Sequence, residues 1–153
     1  MSHSLALNGS RTQLISQLIY LNDEKTHFLD QYCPNYGHER TRIDQTLTAY
    51  SSTLEKILAE FSEESIASAV LIGSQVKLCY VEDDFTESYT IVFPHQADPN
   101  ENQISFLSPI GHQLLMTRTN ETYQLKVPSG EIRVRVEEIK YMNRGDLQGE
   151  TFI

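Results

Sequence analysis

The chain has no tryptophan and only two cysteines, Cys33 and Cys79, among its 153 residues. Two thiols cannot build a disulfide framework, so a reducing, cytoplasmic setting is expected. Positive charge is also scarce. Twelve Lys and Arg stand against 21 Asp and Glu, a net charge of -9. A protein that grips duplex nucleic acid through its phosphates needs a basic face, so direct, sequence-specific nucleic-acid binding is not expected. Residues 1–66 hold 5 basic and 9 acidic side chains and the remainder 7 and 12, so no basic arm hides in the average. Apolar runs are only a few residues long, which excludes a membrane-spanning helix. The N-terminal Met1-Ser-His-Ser-Leu-Ala6 has neither the basic start nor the apolar stretch of a secretory signal. What is present is 39% hydrophobic residues, enough for a core in one domain or two small ones.

From Leu14 to Phe61 the apolar residues keep a helical period. Leu14, Leu18, Leu21, Lys25, Phe28 and Tyr32 follow one another in steps of 4, 3, 4, 3, 4, and so do Ile43, Leu47, Tyr50, Leu54, Ile57 and Phe61. Each set is a heptad seam. Paired in reverse order, from 14 with 61 to 32 with 43, the residue numbers always add to 75, as an antiparallel hairpin requires. The mirror point lies beside Gly37, within the breaker cluster Cys33-Pro-Asn-Tyr-Gly37. Each arm would run about 27 Å. Lys25, the one polar seam residue, is expected opposite Tyr50, with its ammonium in water or over the ring. Ser10-Arg-Thr-Gln13 reads as a capping box for the first helix.

Ser62–Ser68 reads as a linker, and beyond it the period falls to two. Val76, Leu78 and Tyr80 alternate with polar or small neighbours, as do Tyr89, Ile91 and Phe93, and Glu82-Asp-Asp84 between them predicts a hairpin. A loop over 94–102, a short strand over 104–107 and a helix opened by Ser108 and Pro109, ending near Met116, follow. A last hairpin turns at Pro128-Ser-Gly130 between Tyr123–Val127 and Ile132–Val136. The expected architecture is α+β: an antiparallel two-helix coiled coil over 1–66, then a small antiparallel sheet domain with one short helix over 67–153.

The residues point to little catalytic chemistry. Asp30, His38, Glu39 and Asp44 surround the hairpin tip, and two close carboxylates could hold a divalent cation. A solvated, charged helix end is the favoured reading of them. Cys33, His27 and His38 could supply part of a zinc shell but lack the usual fourth ligand and spacing. No Gly-x-Ser-x-Gly elbow, phosphate-binding loop or dinucleotide fingerprint occurs. Ser108 reads as a helix cap. Arg118, Lys126, Arg133 and Arg135 could form a basic patch, though alternating strands commonly carry such a solvated face. No metal, cofactor or catalytic residue is therefore assigned.

Three stretches, Ile104-Ser-Phe-Leu-Ser-Pro-Ile-Gly-His-Gln-Leu-Leu115, Tyr123-Gln-Leu-Lys-Val-Pro-Ser-Gly-Glu-Ile132 and Val136-Glu-Glu-Ile-Lys-Tyr141, resemble the C-terminal domain of the bacterial GreA/GreB transcript cleavage factors. Thr90-Ile-Val-Phe-Pro94 with Asn100-Glu-Asn-Gln-Ile-Ser105 is closer to Rnk, their non-cleaving relative. The resemblance covers about residues 70–141. It implies an FKBP-like sheet domain that docks on the rim of the secondary channel of RNA polymerase, with the hairpin projecting inward. It also implies that polymerase meets the loop Ser105, Phe106, Leu107, Ser108, Pro109 and Ile110, and that Asn35, Tyr36, Gly37, His38 and Glu39 form the advancing tip. Cleavage factors carry Gly-Asp-x-x-Glu-Asn at that tip, whose two acids help hold a magnesium ion, and no Asp-x-x-Glu stands here.

The leading expectation is thus a monomeric polymerase-binding regulator, not an enzyme, that occupies the channel without stimulating cleavage. The runner-up is an active cleavage factor using Glu39 with Asp30 or Asp44. A prolyl isomerase, suggested by fold alone, is third, and the missing tryptophan removes that pocket's usual indole floor.

Overall fold

The seam of the first 61 residues closes a helical hairpin in the computed structural model, which describes residues 2–142 and the side chains from residue 7 onward. Its elements are α1 (Ser2–Asp23), α2 (Lys25–Tyr32) and α3 (His38–Ala59). Leu14, Leu21 and Phe28 on one arm and Ile43, Leu47, Tyr50, Leu54 and Ile57 on the other are buried. Burial of such side chains, at about 1.5–3 kcal/mol each, gives the hairpin its cohesion. The first arm is not one helix. Glu24 leaves helical geometry at φ -118° and ψ 16°, while its N–H still donates to Tyr20 C=O (2.7 Å) and its C=O accepts from Phe28 N–H (2.9 Å). Exposed Asn22 and Asp23, both poor helix formers, precede the break.

Two expectations change here. Ser10 does not cap a helix: α1 already runs through it and it is buried, while Thr12 Oγ1 donates back to Asn8 C=O at 3.0 Å. Lys25 is not held over Tyr50. Its ammonium meets Asp44 at 2.8 Å and Thr48 Oγ1 at 3.2 Å, nearer the tip of α3. Tyr50 instead donates its hydroxyl to Gln17 Oε1 at 2.6 Å inside the seam. A phenol long enough to cross the interface needs a polar partner there, and Gln17 supplies it.

The chain divides into two compact units between Phe61 and Ser62. Ser62–Ser68, expected as a linker, contains α4 (Glu63–Ile66), capped by reciprocal bonds between Ser62 and Ser65, with Ile66 buried. Five strands follow, β1 (Ser74–Tyr80), β2 (Phe85–Val92), β3 (Gln103–Ser105), β4 (Thr122–Val127) and β5 (Gly130–Tyr141), in the order β3-β2-β1-β5-β4. The architecture is α+β, as the alternating pattern predicts. The sheet is antiparallel except at one edge, where β3 joins β2 in parallel, because the chain returns through two short 3-10 turns, Pro94–Gln96 and Pro99–Glu101.

Between β1 and β5 the register shifts at Lys77/Leu78: Lys77 pairs with Glu138 but Leu78 with Val136, which leaves Glu137 as the extra residue of a bulge. The bulge changes the parity of β5, so that Val134 and Val136 before it and Ile139 after it are all buried. Buried Phe93 and Phe106 meet edge to face at 5.9 Å, packing the end of β2 against the segment after β3.

Phe106 leads to Ser108, the cap of α5 (Pro109–Leu114). Ser108 Oγ accepts from Gly111 N–H at 3.1 Å and donates to Ser105 C=O at 2.7 Å. Gly111 is demanded by space, since a Cβ there would run into the Ser105 carbonyl oxygen.

Two substitutions test this framework. Tyr50→Phe removes the buried phenol–amide bond and is expected to lower hairpin stability by about 1–2 kcal/mol, read as a lower urea midpoint of the helical signal; an unchanged midpoint would refute a stabilising role. Gly111→Ala forces apart the 105–111 turn, and we expect a loss of about 1–3 kcal/mol in thermal or urea unfolding. Wild-type stability in that variant would show that the turn is looser than its geometry.

Candidate functional site

The hairpin tip is built around Arg40. This residue lies in the first turn of α3 but is only 9% exposed, because its guanidinium folds back onto the end of α2. There Nη2 meets Asp30 Oδ1 at 2.9 Å, Nη1 donates to Cys33 C=O at 3.1 Å, and the guanidinium carbon lies 4.5 Å from the centre of the Tyr36 ring. Cys33 is the C-cap residue of α2, at the end where helix carbonyls lack intrahelical donors and a cation is favoured. The ion pair, the carbonyl bond and the ring contact together hold the turn between the arms.

Tyr36 is 85% exposed, and Asn35, Gly37, His38 and Glu39 are exposed with it. Glu39 is paired with Arg42 through contacts of 2.9 and 3.1 Å to its two oxygens. Both partners are half-exposed, so this i,i+3 pair contributes no more than about 0.5 kcal/mol. Asp44, as noted, holds Lys25. Each of the three tip acids therefore has a cation within 3 Å.

The metal readings find no shell. Among the described residues, no three His, Cys, Asp or Glu side chains come close enough to hold an ion. Burial, and then the charge of Glu39, push the Cys33 thiol upward against the opposing pull of Arg40 and Arg42. The thiolate, the form that binds metal, is thereby disfavoured.

In the second unit the loop over 105–110 is a rigid turn. Phe106 is fully buried and its N–H donates to Val92 C=O at 3.0 Å, so it supports the loop from the core and offers no ring at the surface. Ser105 Oγ accepts from Leu107 N–H at 2.9 Å, and Ser108 caps α5. Leu107 and Ile110 are partly exposed and Pro109 is exposed, giving a small apolar crest on a fixed backbone. Two of the four basic residues expected as a patch, Arg133 and Arg135, are compensated. Arg133 meets Glu82 at 3.3 Å, and Arg135 meets Glu137 at 2.7 Å, a pair that raises the guanidinium's affinity for its proton.

Sequence reasoning missed Arg40 and Gln17. An arginine in the first turn of a helix opposes the helix dipole, a signal that its charge is engaged elsewhere. Gln17 lies three residues after Leu14 and four before Leu21, on the buried stripe.

A family model described as "Transcription elongation factor, GreA/GreB, C-term" matches residues 65–141. Transcription elongation factor GreA of Halalkalibacterium halodurans is 37% identical over a 153-residue alignment that covers 90% of this chain and 96% of that protein. GreA of Alkaliphilus oremlandii is 29% identical over 102 residues, 67% of this chain and 64% of that protein, so the chain spans a little under two thirds of that relative. Among solved structures, GreA factor homolog 1 of Thermus thermophilus aligns with a TM-score of 0.43 and 25% identity, over 84% of this chain and 90% of that one. With half of its length matched by the C-terminal family model and nearly all of it aligned to a GreA, this chain belongs to the GreA/GreB transcription elongation factor family.

Proposed function

We propose that this chain binds RNA polymerase with its sheet domain, inserts its helical hairpin into the secondary channel, and does not stimulate transcript cleavage. The observation that carries the reading is the state of the tip acids. A carboxylate that helps hold a catalytic magnesium ion must present free oxygens. Here Asp30 is tied to a nearly buried guanidinium, Glu39 to Arg42 and Asp44 to Lys25. Freeing Asp30 would also uncover the end of α2, which Arg40 closes.

Docking is assigned to the crest of Leu107, Pro109 and Ile110, with Ser105, Phe106 and Ser108 setting its shape from beneath. The factor acts as a monomer in the cytoplasm, has no turnover of its own and needs no cofactor. Its effect comes from occupancy, as a competitor of factors that carry the acid pair.

The likeness to GreA over 90% of the chain favours a second reading, a cleavage stimulator using Glu39 with Asp30 or Asp44. The weak exposed Glu39–Arg42 pair is the feature such a mechanism would exploit.

Backtracked elongation complexes in magnesium separate the two. Wild type is expected to leave the intrinsic cleavage rate unchanged and to slow cleavage driven by an active GreA. Factor-dependent cleavage that disappears on Glu39→Ala would establish the second reading instead. Docking is tested by retention on core polymerase. Pro109→Ala and Ile110→Ala are each expected to weaken retention by about threefold or more, while equal retention of wild type and both variants would remove the crest from the interface.

A further inference from the structure

The end of the β1–β2 hairpin carries a second cluster of polar and aromatic side chains. Tyr80, Phe85, Glu87 and Tyr89 lie on one face: Tyr80 pairs with Phe85, Leu78 with Glu87 and Val76 with Tyr89. Leu78 and Val76 are fully buried, so Glu87 is a carboxylate on the core-facing side of the sheet. Both phenols donate to the same oxygen, Tyr80 at 2.9 Å and Tyr89 at 2.6 Å to Glu87 Oε1. Among the described residues no Lys, Arg or His faces this carboxylate, and Oε2 takes no hydrogen bond.

Beside it the Tyr80 and Phe85 rings stack at 5.7 Å with 15° between their planes, and Phe85 is 49% exposed. The adjoining turn adds Glu82, Asp83 and Asp84, of which Glu82 is taken by Arg133. Burial, and then the bond to Glu87, push Tyr89 upward, so it stays a donor at any physiological pH.

The geometry points to this hairpin end as a receptor for an arginine side chain of a protein partner, the guanidinium donating to Glu87 Oε2 while its plane lies on the exposed Phe85–Tyr80 stack. A partly buried carboxylate with one oxygen engaged by neutral donors and no cation of its own is completed by a positive charge. The flat aromatic stack selects a guanidinium over an ammonium, because the planar, weakly hydrated group can stack and bond in the same pose. The acidic turn steers such a partner inward. The site lies at the far end of β2 from the strand's contact with β3, so it is separate from the crest at 107–110. Its partner assignment rests on the polymerase reading and makes the site a second contact with polymerase.

Two measurements on the full chain test it. In the first, N-acetyl-arginine amide and its lysine counterpart are titrated to about 20 mM while the amide resonances of residues 80–89 are followed by NMR. The arginine probe is expected to shift them about fivefold more than lysine does, and both Glu87→Gln and Phe85→Ala should abolish the difference. Glu87→Gln keeps an oxygen for the two phenols, and Phe85→Ala alters an exposed ring, so both variants retain the fold. Equal or absent shifts would overturn the proposal and leave Glu87 as an inward charge that guards an exposed strand edge. In the second, retention on core polymerase is compared between wild type and Glu87→Gln, with about a fivefold loss expected. Retention of wild type with no loss in the variant would overturn the receptor and spare the functional reading. Failure of wild type to bind polymerase would sink the functional reading and the partner, leaving the arginine titration to decide the site alone.

Discussion

Arg40 stands at the start of α3 yet spends its donors on the end of α2, and the form of the hairpin tip follows from that choice. A helix that stops at Tyr32 leaves carbonyls without donors, and a turn of Pro34, Asn35, Tyr36 and Gly37 offers few groups to meet them. One guanidinium meets the Cys33 carbonyl, neutralises Asp30 and lies against Tyr36. Asp30 is thereby engaged in the structure of the tip, whose exposed residues include Tyr36, Gly37 and Glu39.

The second unit reaches rigidity by a different route. Its bulge at Glu137 lets one long strand keep apolar side chains on the core side on both sides of the irregularity. The turn from Ser105 to Gly111 is fixed by two serine hydroxyls and by the absence of a Cβ at Gly111. A loop held in this way loses little freedom on binding, so even a small crest of Leu107, Pro109 and Ile110 can be an effective contact. Aromatic and acidic groups gather at the other end of β2, where a half-buried carboxylate remains short of a cation.

The seam residues were legible because burial enforces period: Leu14, Leu21 and Phe28 against Ile43, Leu47 and Leu54 follow from spacing alone. The strands, the Ser108 cap and the Pro128–Gly130 turn were legible for the same reason, that local chemistry and global fold agree there. The spacing of Val136 and Ile139, three residues apart, even carried the mark of the bulge. Other features were not legible. The break at Glu24 keeps the helical hydrogen bonds nearly continuous, so the apolar period passes through it unchanged. Lys25 could reach several partners, and only the packed geometry selects Asp44 and Thr48. Nothing in sequence spacing brings Arg40 to Asp30, because that contact depends on the path of the turn between them. Those side-chain pairings decide the chemistry of the tip.

An ionic lock at Arg40 that organises the tip and occupies Asp30 is open to a double-mutant cycle. Asp30→Asn, Arg40→Met and the double variant would be compared with wild type by urea unfolding of the helical signal. The lock predicts a coupling of about 1 kcal/mol, toward the upper end for a pair with one exposed partner because the arginine is nearly buried. Additive losses, with coupling below about 0.3 kcal/mol, would contradict it. Asp30 would then be free to serve a metal ion.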